Sequence, residues 1–203
     1  ANILGTKDII ICGGFNSTGG NNETWIFNFS KMIWTKIKPL KPINFQLKHT
    51  LTSIFKQKKV FLFGVTKDLI TYPFSWVYDQ IENSWINVTG KPKPDPRSEH
   101  AMVSFYGKDK ILLFGGYSII NGLYNDTWIY DISENRWSQL IIIDNKPRAR
   151  FRYAMAGIYD TDKIILFGGS PGANETWIYD VSENRWIFQY LSLNPPKRIV
   201  HGM

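Results

Sequence analysis

The chain has 203 residues, 43% of them hydrophobic and 15% aromatic with 8 Trp, and a formal net charge of +7. That is apolar mass enough for a substantial core, while the single cysteine, Cys12, excludes an intrachain disulfide and a Cys-x-x-Cys metal knuckle. No apolar run approaches the ~18 residues of a membrane-spanning helix. The lysines are scattered through loops, as at Lys56, Lys58 and Lys59, with no basic helix and no interleaving of bases with aromatics, so nucleic acid is not an expected partner.

In chain order, the sequence opens at Ala1 without Met or a signal-peptide pattern, and residue 1 is read as internal to a longer product. The apolar run at 9–14 reads as a strand ending at Gly13-Gly14, with Cys12 as a small buried hydrophobe. Glu23-Thr24-Trp25-Ile26-Phe27 is a second strand, and Trp34 follows after a turn. The same order returns at 60–64, Ser75-Trp76-Val77-Tyr78-Asp79 and Trp85. It returns at 111–116, Asp126-Thr127-Trp128-Ile129-Tyr130-Asp131 and Trp137, and again at 164–169, Glu175-Thr176-Trp177-Ile178-Tyr179-Asp180 and Trp186. A fourth signal precedes the second, third and fourth units and recurs after the last: Lys48-His49-Thr50, Arg97-Ser98-Glu99-His100-Ala101-Met102, Arg150-Phe151-Arg152-Tyr153-Ala154-Met155 and Arg198-Ile199-Val200-His201-Gly202-Met203. Both Trp positions recur at steps of 51, 52 and 49 residues.

Each unit is expected to hold four short antiparallel strands, A to D, placed in the third unit near 100–106, 110–115, 126–131 and 136–141. Strand B is continuously apolar, as a strand covered on both faces should be. The glycine pair ends it where the backbone turns with φ > 0. Antiparallel order then puts the B–C loops (about 15–22, 65–74, 117–125 and 170–174) and the D–A loops (about 38–47, 88–99, 142–152 and 190–200) at one end of every unit. The short A–B and C–D turns lie at the other, so the long-loop face is where a partner is expected.

Gly-Gly, (Asp/Glu)-Thr-Trp-x-(Tyr/Phe) and Asn-Arg-Trp at a period of about 50 resemble the kelch repeat, over essentially the whole chain. The second unit departs from it with Gly64-Val65 and Phe74-Ser75, and the first with Lys31-Met32-Ile33-Trp34. The resemblance implies an all-β fold: a kelch-type β-propeller, with four four-stranded blades present (repeats 1–47, 48–98, 99–151 and 152–203) in one region spanning 1–203. Four blades fall short of the six or seven that the resemblance implies, so a longer propeller is expected. The paired Trp are expected to wedge between blades.

Some proteins of this fold are enzymes, copper oxidases acting on galactose among them. Cys12 lies in a core strand, and His49, His100 and His201 recur at the start of strand A, which points to packing rather than metal binding. There is no P-loop, Gly-x-Ser-x-Gly or His-Glu-x-x-His, and no catalytic, cofactor or metal residue is assigned. The expected function is a non-enzymatic binding or scaffolding module that presents its B–C and D–A loops to a protein or a surface glycan. The alternatives are a carbohydrate-active enzyme or lectin, and a structural subunit of a larger assembly. The loop Lys146-Pro147-Arg148-Ala149-Arg150-Phe151-Arg152 carries four cations and a Phe that could clamp a carboxylate or phosphate, and Arg97, Tyr117, Tyr124, Tyr72 and Phe74 are further candidate contact residues. Six Asn-x-Ser/Thr sequons, at Asn16, Asn22, Asn28, Asn87, Asn125 and Asn174, favour an extracellular or cell-surface location over a cytoplasmic one. Three of them are built into Asn-(Asp/Glu)-Thr-Trp.

Overall fold

The computed structural model describes residues 1–17, 19–43, 47–55, 57–65, 73–143, 145–171 and 174–199, with 15, 16 and 47 described by backbone alone. The described secondary structure is entirely β. The first blade comprises β1 (Asp8–Cys12), the short hairpin β2 (Phe15–Asn16) and β3 (Gly19–Gly20), then β4 (Thr24–Asn28) and β5 (Ile33–Ile37). The second is β6 (Leu47–Ser53), β7 (Lys59–Val65), β8 (Pro73–Asp79) and β9 (Ser84–Asn87). The third is β10 (Ala101–Ser104), β11 (Lys110–Phe114), the hairpin β12 (Tyr117–Ser118) and β13 (Gly122–Leu123), β14 (Thr127–Asp131) and β15 (Arg136–Leu140). The fourth is β16 (Ala154–Gly157), β17 (Lys163–Phe167), β18 (Thr176–Asp180) and β19 (Arg185–Phe188).

The last three blades are antiparallel sheets of four strands in sequence order, and β1-β4-β5 form a sheet of three. Residues 1–3, ahead of strand B of the first blade, pair with it. Asn2 bridges Ile9, Ile3 N–H donates to the Asp8 carbonyl at 2.8 Å, and Ile10 N–H donates to the Ala1 carbonyl at 2.9 Å. They therefore hold the end of the first blade's innermost strand. The second blade departs from expectation, because β7 and β8 run into the segment read as its B–C loop and leave 66–72 between them.

The core lies between blades. Val60, Leu62, Tyr78 and Trp85 of the second blade pack on Ile10, Cys12 and Ile26 of the first. Ile111, Leu113, Trp128 and Trp137 pack on Phe61, Phe63 and Val77 of the second. Ile164, Leu166, Trp177 and Trp186 pack on Val103, Leu112 and Phe114 of the third. In the second and third blades strand B alternates its apolar side chains between the two neighbours, whereas Ile9 and Ile11 of the first blade are exposed. Trp34 shows what the neighbour contributes. On the outward face of the first blade it is 48% exposed, whereas Trp85, Trp137 and Trp186 are 0, 1 and 3% exposed.

Polar bonds repeat with the blades. Trp137 Nε1 donates to Ser75 Oγ at 2.9 Å and Trp186 Nε1 to Thr127 Oγ1 at 3.1 Å, each reaching into the preceding blade. The Thr of Asp-Thr-Trp thus serves the next blade's indole, and Ser75 keeps that hydroxyl in the divergent second repeat. At the C–D turns, Tyr78, Tyr130 and Tyr179 donate to Asn83, Asn135 and Asn184, which sit at φ 45, 51 and 52°. Asn tolerates this left-handed conformation better than other residues with a side chain.

Candidate functional site

The long loops converge at one end, as the antiparallel order requires, and backbone bonds tie them to each other. Ser98 and Tyr117 exchange N–H···O bonds of 2.9 Å, and Phe151 and Ser170 do the same at 3.1 and 2.8 Å. Each pair joins the D–A loop that enters a blade to that blade's own B–C loop. The opposite end carries the tight A–B and C–D turns, joined by Gln80, Ile132 and Val181 N–H groups donating to Lys58, Asp109 and Asp162 carbonyls.

A repeated Arg–carboxylate clasp lies beneath the loop face. Arg97, 1% exposed, donates from Nη1 and Nη2 to Asp126 at 2.5 and 2.8 Å, and also to the Gly115 and Asp95 carbonyls. Asp126 in turn accepts from Trp128 Nε1 at 2.7 Å. Arg150 repeats the arrangement with Glu175 at 2.5 Å, the Gly168 and Arg148 carbonyls, and Trp177 on the same carboxylate. In the first blade, Glu23 holds the matching place and binds Trp25 Nε1 and Lys36, which keep its carboxyl well below the usual range, at about 2. The second blade has Phe74 at the carboxylate's place and Gln46 at the arginine's, so both halves of the clasp are replaced together.

The residue before strand A forms a second repeated contact. His49 Nε2 bonds the Cys12 carbonyl at 2.9 Å, and the Tyr153 hydroxyl donates to the Phe114 carbonyl, each at the end of strand B in the preceding blade. His100 Nε2 lies 2.7 Å from Thr50 Oγ1, again across the blade boundary. Burial, with Arg97 and His49 nearby, depresses the His100 imidazole to about 3, and burial raises the Cys12 thiol to about 12. His49 and His100 are interblade struts, and His201 lies outside the described residues. Among the described residues, no group of three or more His, Cys, Asp or Glu could hold a metal ion.

The clasp changes the standing of the candidate contact residues. Arg97 and Arg150 are buried and belong to the scaffold. Phe74 is buried between the first two blades, and Tyr124 lies beneath the Arg97 guanidinium, 3.9 Å from its ring centroid. Tyr72 lies outside the described residues. Arg152 is on the surface but is engaged by Glu99, which also accepts from Lys48 at 3.2 Å. Lys48, Glu99 and Arg152 hold equivalent places at φ 54, 56 and 56°, forming a plus–minus–plus row across three blades. Of the expected four-cation clamp, Arg150 is buried in a clasp and Arg152 is paired with Glu99, which leaves Lys146, half-buried, and Arg148. The Arg148 side chain is 86% exposed beside a cavity of about 330 Å³ that Lys197, Asn174 and Glu175 also line.

Tyr117 stays at the surface, its ring centroid 5.8 Å from that of Phe151. It opens the β12–β13 hairpin, whose tip exposes Ile119 and Ile120. Ser118 Oγ accepts from the Ile120 and Asn121 N–H groups at 3.2 and 3.4 Å, and Asn121 donates to the Tyr124 hydroxyl at 3.0 Å. Of the sequon asparagines, Asn22, Asn87 and Asn174 are exposed and Asn125 is half-buried. Asn28 donates its amide nitrogen to Asp8 at 3.1 Å, and the side chain of Asn16 is not described. Glu99 was not singled out from sequence, and its place between the repeated Arg and His was the available signal.

Antiparallel four-stranded blades joined by indole–hydroxyl bonds, with long loops gathered at one end, define a kelch-type β-propeller domain. The model of the KLHDC2/KLHL20/DRC7 Kelch-repeats domain matches residues 1–203, and the chain belongs to the kelch-repeat family. It is 27% identical over 183 residues to tip elongation aberrant protein 1 of Schizosaccharomyces pombe, covering 84% of this chain and 15% of that protein. It is 26% identical over 149 residues to an F-box/kelch-repeat protein of Arabidopsis thaliana, covering 65% and 30%. It is 28% identical over 95 residues to tRNA wybutosine-synthesizing protein 4 of Saccharomyces cerevisiae, covering 47% and 13%. The chain thus spans less than a third of the length of each of these relatives.

Proposed function

We propose that this kelch domain is a non-enzymatic scaffold that binds a protein through its B–C/D–A loop face, centred on the β12–β13 hairpin. The observation that carries this is the exposure of Ile119 and Ile120 on a tip already fixed by its own hydrogen bonds. Apolar anchors on an ordered hairpin bind without the entropy cost of ordering a loop. Arg148 at the neighbouring loop favours a partner segment that carries acidic side chains beside aliphatic ones.

The test is selection of peptides from a displayed library on the 203-residue chain. Acidic–aliphatic sequences should be enriched. Their binding should be lost in the Ile119→Asp/Ile120→Asp variant while its melting temperature is kept. Absence of enrichment, or enrichment that this variant leaves intact, refutes the assignment.

A further inference from the structure

We infer that a cavity among the A–B turns, at the end of the blades opposite the loop face, is a binding site for a neutral pyranoside. The cavity has a volume of about 430 Å³ and is walled by the innermost segments of all four blades. This volume is within the ordinary range of small-molecule sites, roughly 300–1,000 Å³. It is independent of the loop face, which lies at the other end of the blades.

The lining is unusual for this chain. Charged residues make up 20% of the sequence, yet none lines the cavity. Asn2, Ser53, Ser104 and Gly157 hold the same place in successive blades, so the wall is small and uncharged at each step. Ser53 Oγ donates to the backbone carbonyl and Oδ1 of Asn2 at 2.7 and 2.6 Å, which leaves the Asn2 amide nitrogen as a donor at the wall beside the Ser104 hydroxyl.

The residues that follow form an aromatic arc. Phe55 and Tyr106 meet edge-to-face with centroids 5.0 Å apart, and Tyr106 and Tyr159 do so at 4.7 Å. Tyr159 is 78% exposed although its ring is held by its neighbour. The arc is thus an ordered aromatic platform with hydroxyls at its edge.

A pyranose ring matches both halves of this site. It has an apolar C–H face to lie on a tyrosine ring and a rim of hydroxyls for the Asn2 amide and the Ser104 hydroxyl. A charged ligand would be desolvated with no counter-charge in the wall. A wholly apolar one would leave the wall's donors unpaired.

Saturation-transfer NMR on the 203-residue chain with a panel of methyl glucoside, galactoside, mannoside and N-acetylglucosaminide tests the site. At least one neutral glycoside should receive saturation on its C–H face. Tyr159→Ala should weaken that glycoside by about tenfold without changing the melting temperature, since the ring is exposed. Tyr159→Phe should retain most of the binding, and Ile119→Asp/Ile120→Asp all of it, which separates this site from the loop face. The assignment is overturned by no transfer from any neutral glycoside up to about 20 mM. Indifference to Tyr159→Ala, or methyl glucuronide binding as tightly as the best neutral glycoside, overturns it as well.

Discussion

Removing the two members of the third blade's clasp, singly and together, tests the central structural argument. Asp126→Ser leaves the Arg97 guanidinium buried without its counter-charge and takes the acceptor from Trp128 Nε1. Removing one partner of a buried ion pair costs about 3–5 kcal/mol. Arg97→Gln leaves the Gly115 carbonyl without its guanidinium donor and Asp126 without its partner. Asp126 retains some solvent contact and its bond from Trp128, so the cost is smaller, about 2–4 kcal/mol. The double variant has neither a stranded charge nor a vacant partner, and it dispenses with both members of the pair, as the second blade does with Gln46 and Phe74. It should be more stable than the sum of the single effects predicts, by about 2 kcal/mol. Urea unfolding followed by Trp fluorescence measures all four corners of the cycle. Additivity to within about 0.5 kcal/mol would refute the reasoning, because it would mean that Arg97 and Asp126 contribute independently.

Trp137→Phe and Trp186→Phe should each lose about 1–3 kcal/mol, since Ser75 and Thr127 lose a buried donor, whereas Trp34→Phe should stay within about 0.5 kcal/mol. Thermal melts of the three variants decide it, and equal losses would contradict the interblade assignment. The buried His100 is neutral in the folded chain down to about pH 3, whereas an unfolded imidazole protonates near 6.5. The unfolded state therefore binds the extra proton in that window, and stability falls as pH falls, by about 2 kcal/mol between pH 7 and 5. The lowered His49 acts in the same direction. His100→Gln should flatten the slope over pH 5–7 in urea titrations, and an unchanged slope would count against the strut.

Blade boundaries were legible because each strand carries a signature that local chemistry demands. The continuous apolar run at 111–114 marks a strand covered on both faces, and the same pattern at 9–12 marks its equivalent in the first blade, where Ile9 and Ile11 are exposed. Gly116, at φ 102°, has no room for a side chain, since a Cβ there would stand 2.9 Å from both the Ser98 carbonyl oxygen and His100 Cβ. The candidate site was legible only in part. Arg97, Arg148, Arg150 and Arg152 look alike in sequence, but burial separates them into two buried clasps and two surface cations, Arg148 beside Glu175 and Arg152 on Glu99. The aromatic arc escaped notice because Phe55, Tyr106 and Tyr159 are about 50 residues apart and meet only when blades stand side by side.

The sequence by itself determined the period, the strand order within a blade and the end at which the long loops gather. Each follows from interactions inside one repeat: strand propensity, glycine conformation and antiparallel order. Tertiary structure alone decided which tryptophans are wedges, which arginines are scaffold and where a cavity opens. Those properties depend on the neighbouring blade, which supplies Ser75 to Trp137 and Thr127 to Trp186 and supplies nothing to Trp34 among the described residues. Burial is a property of the pair of surfaces, and one repeat carries only half of it.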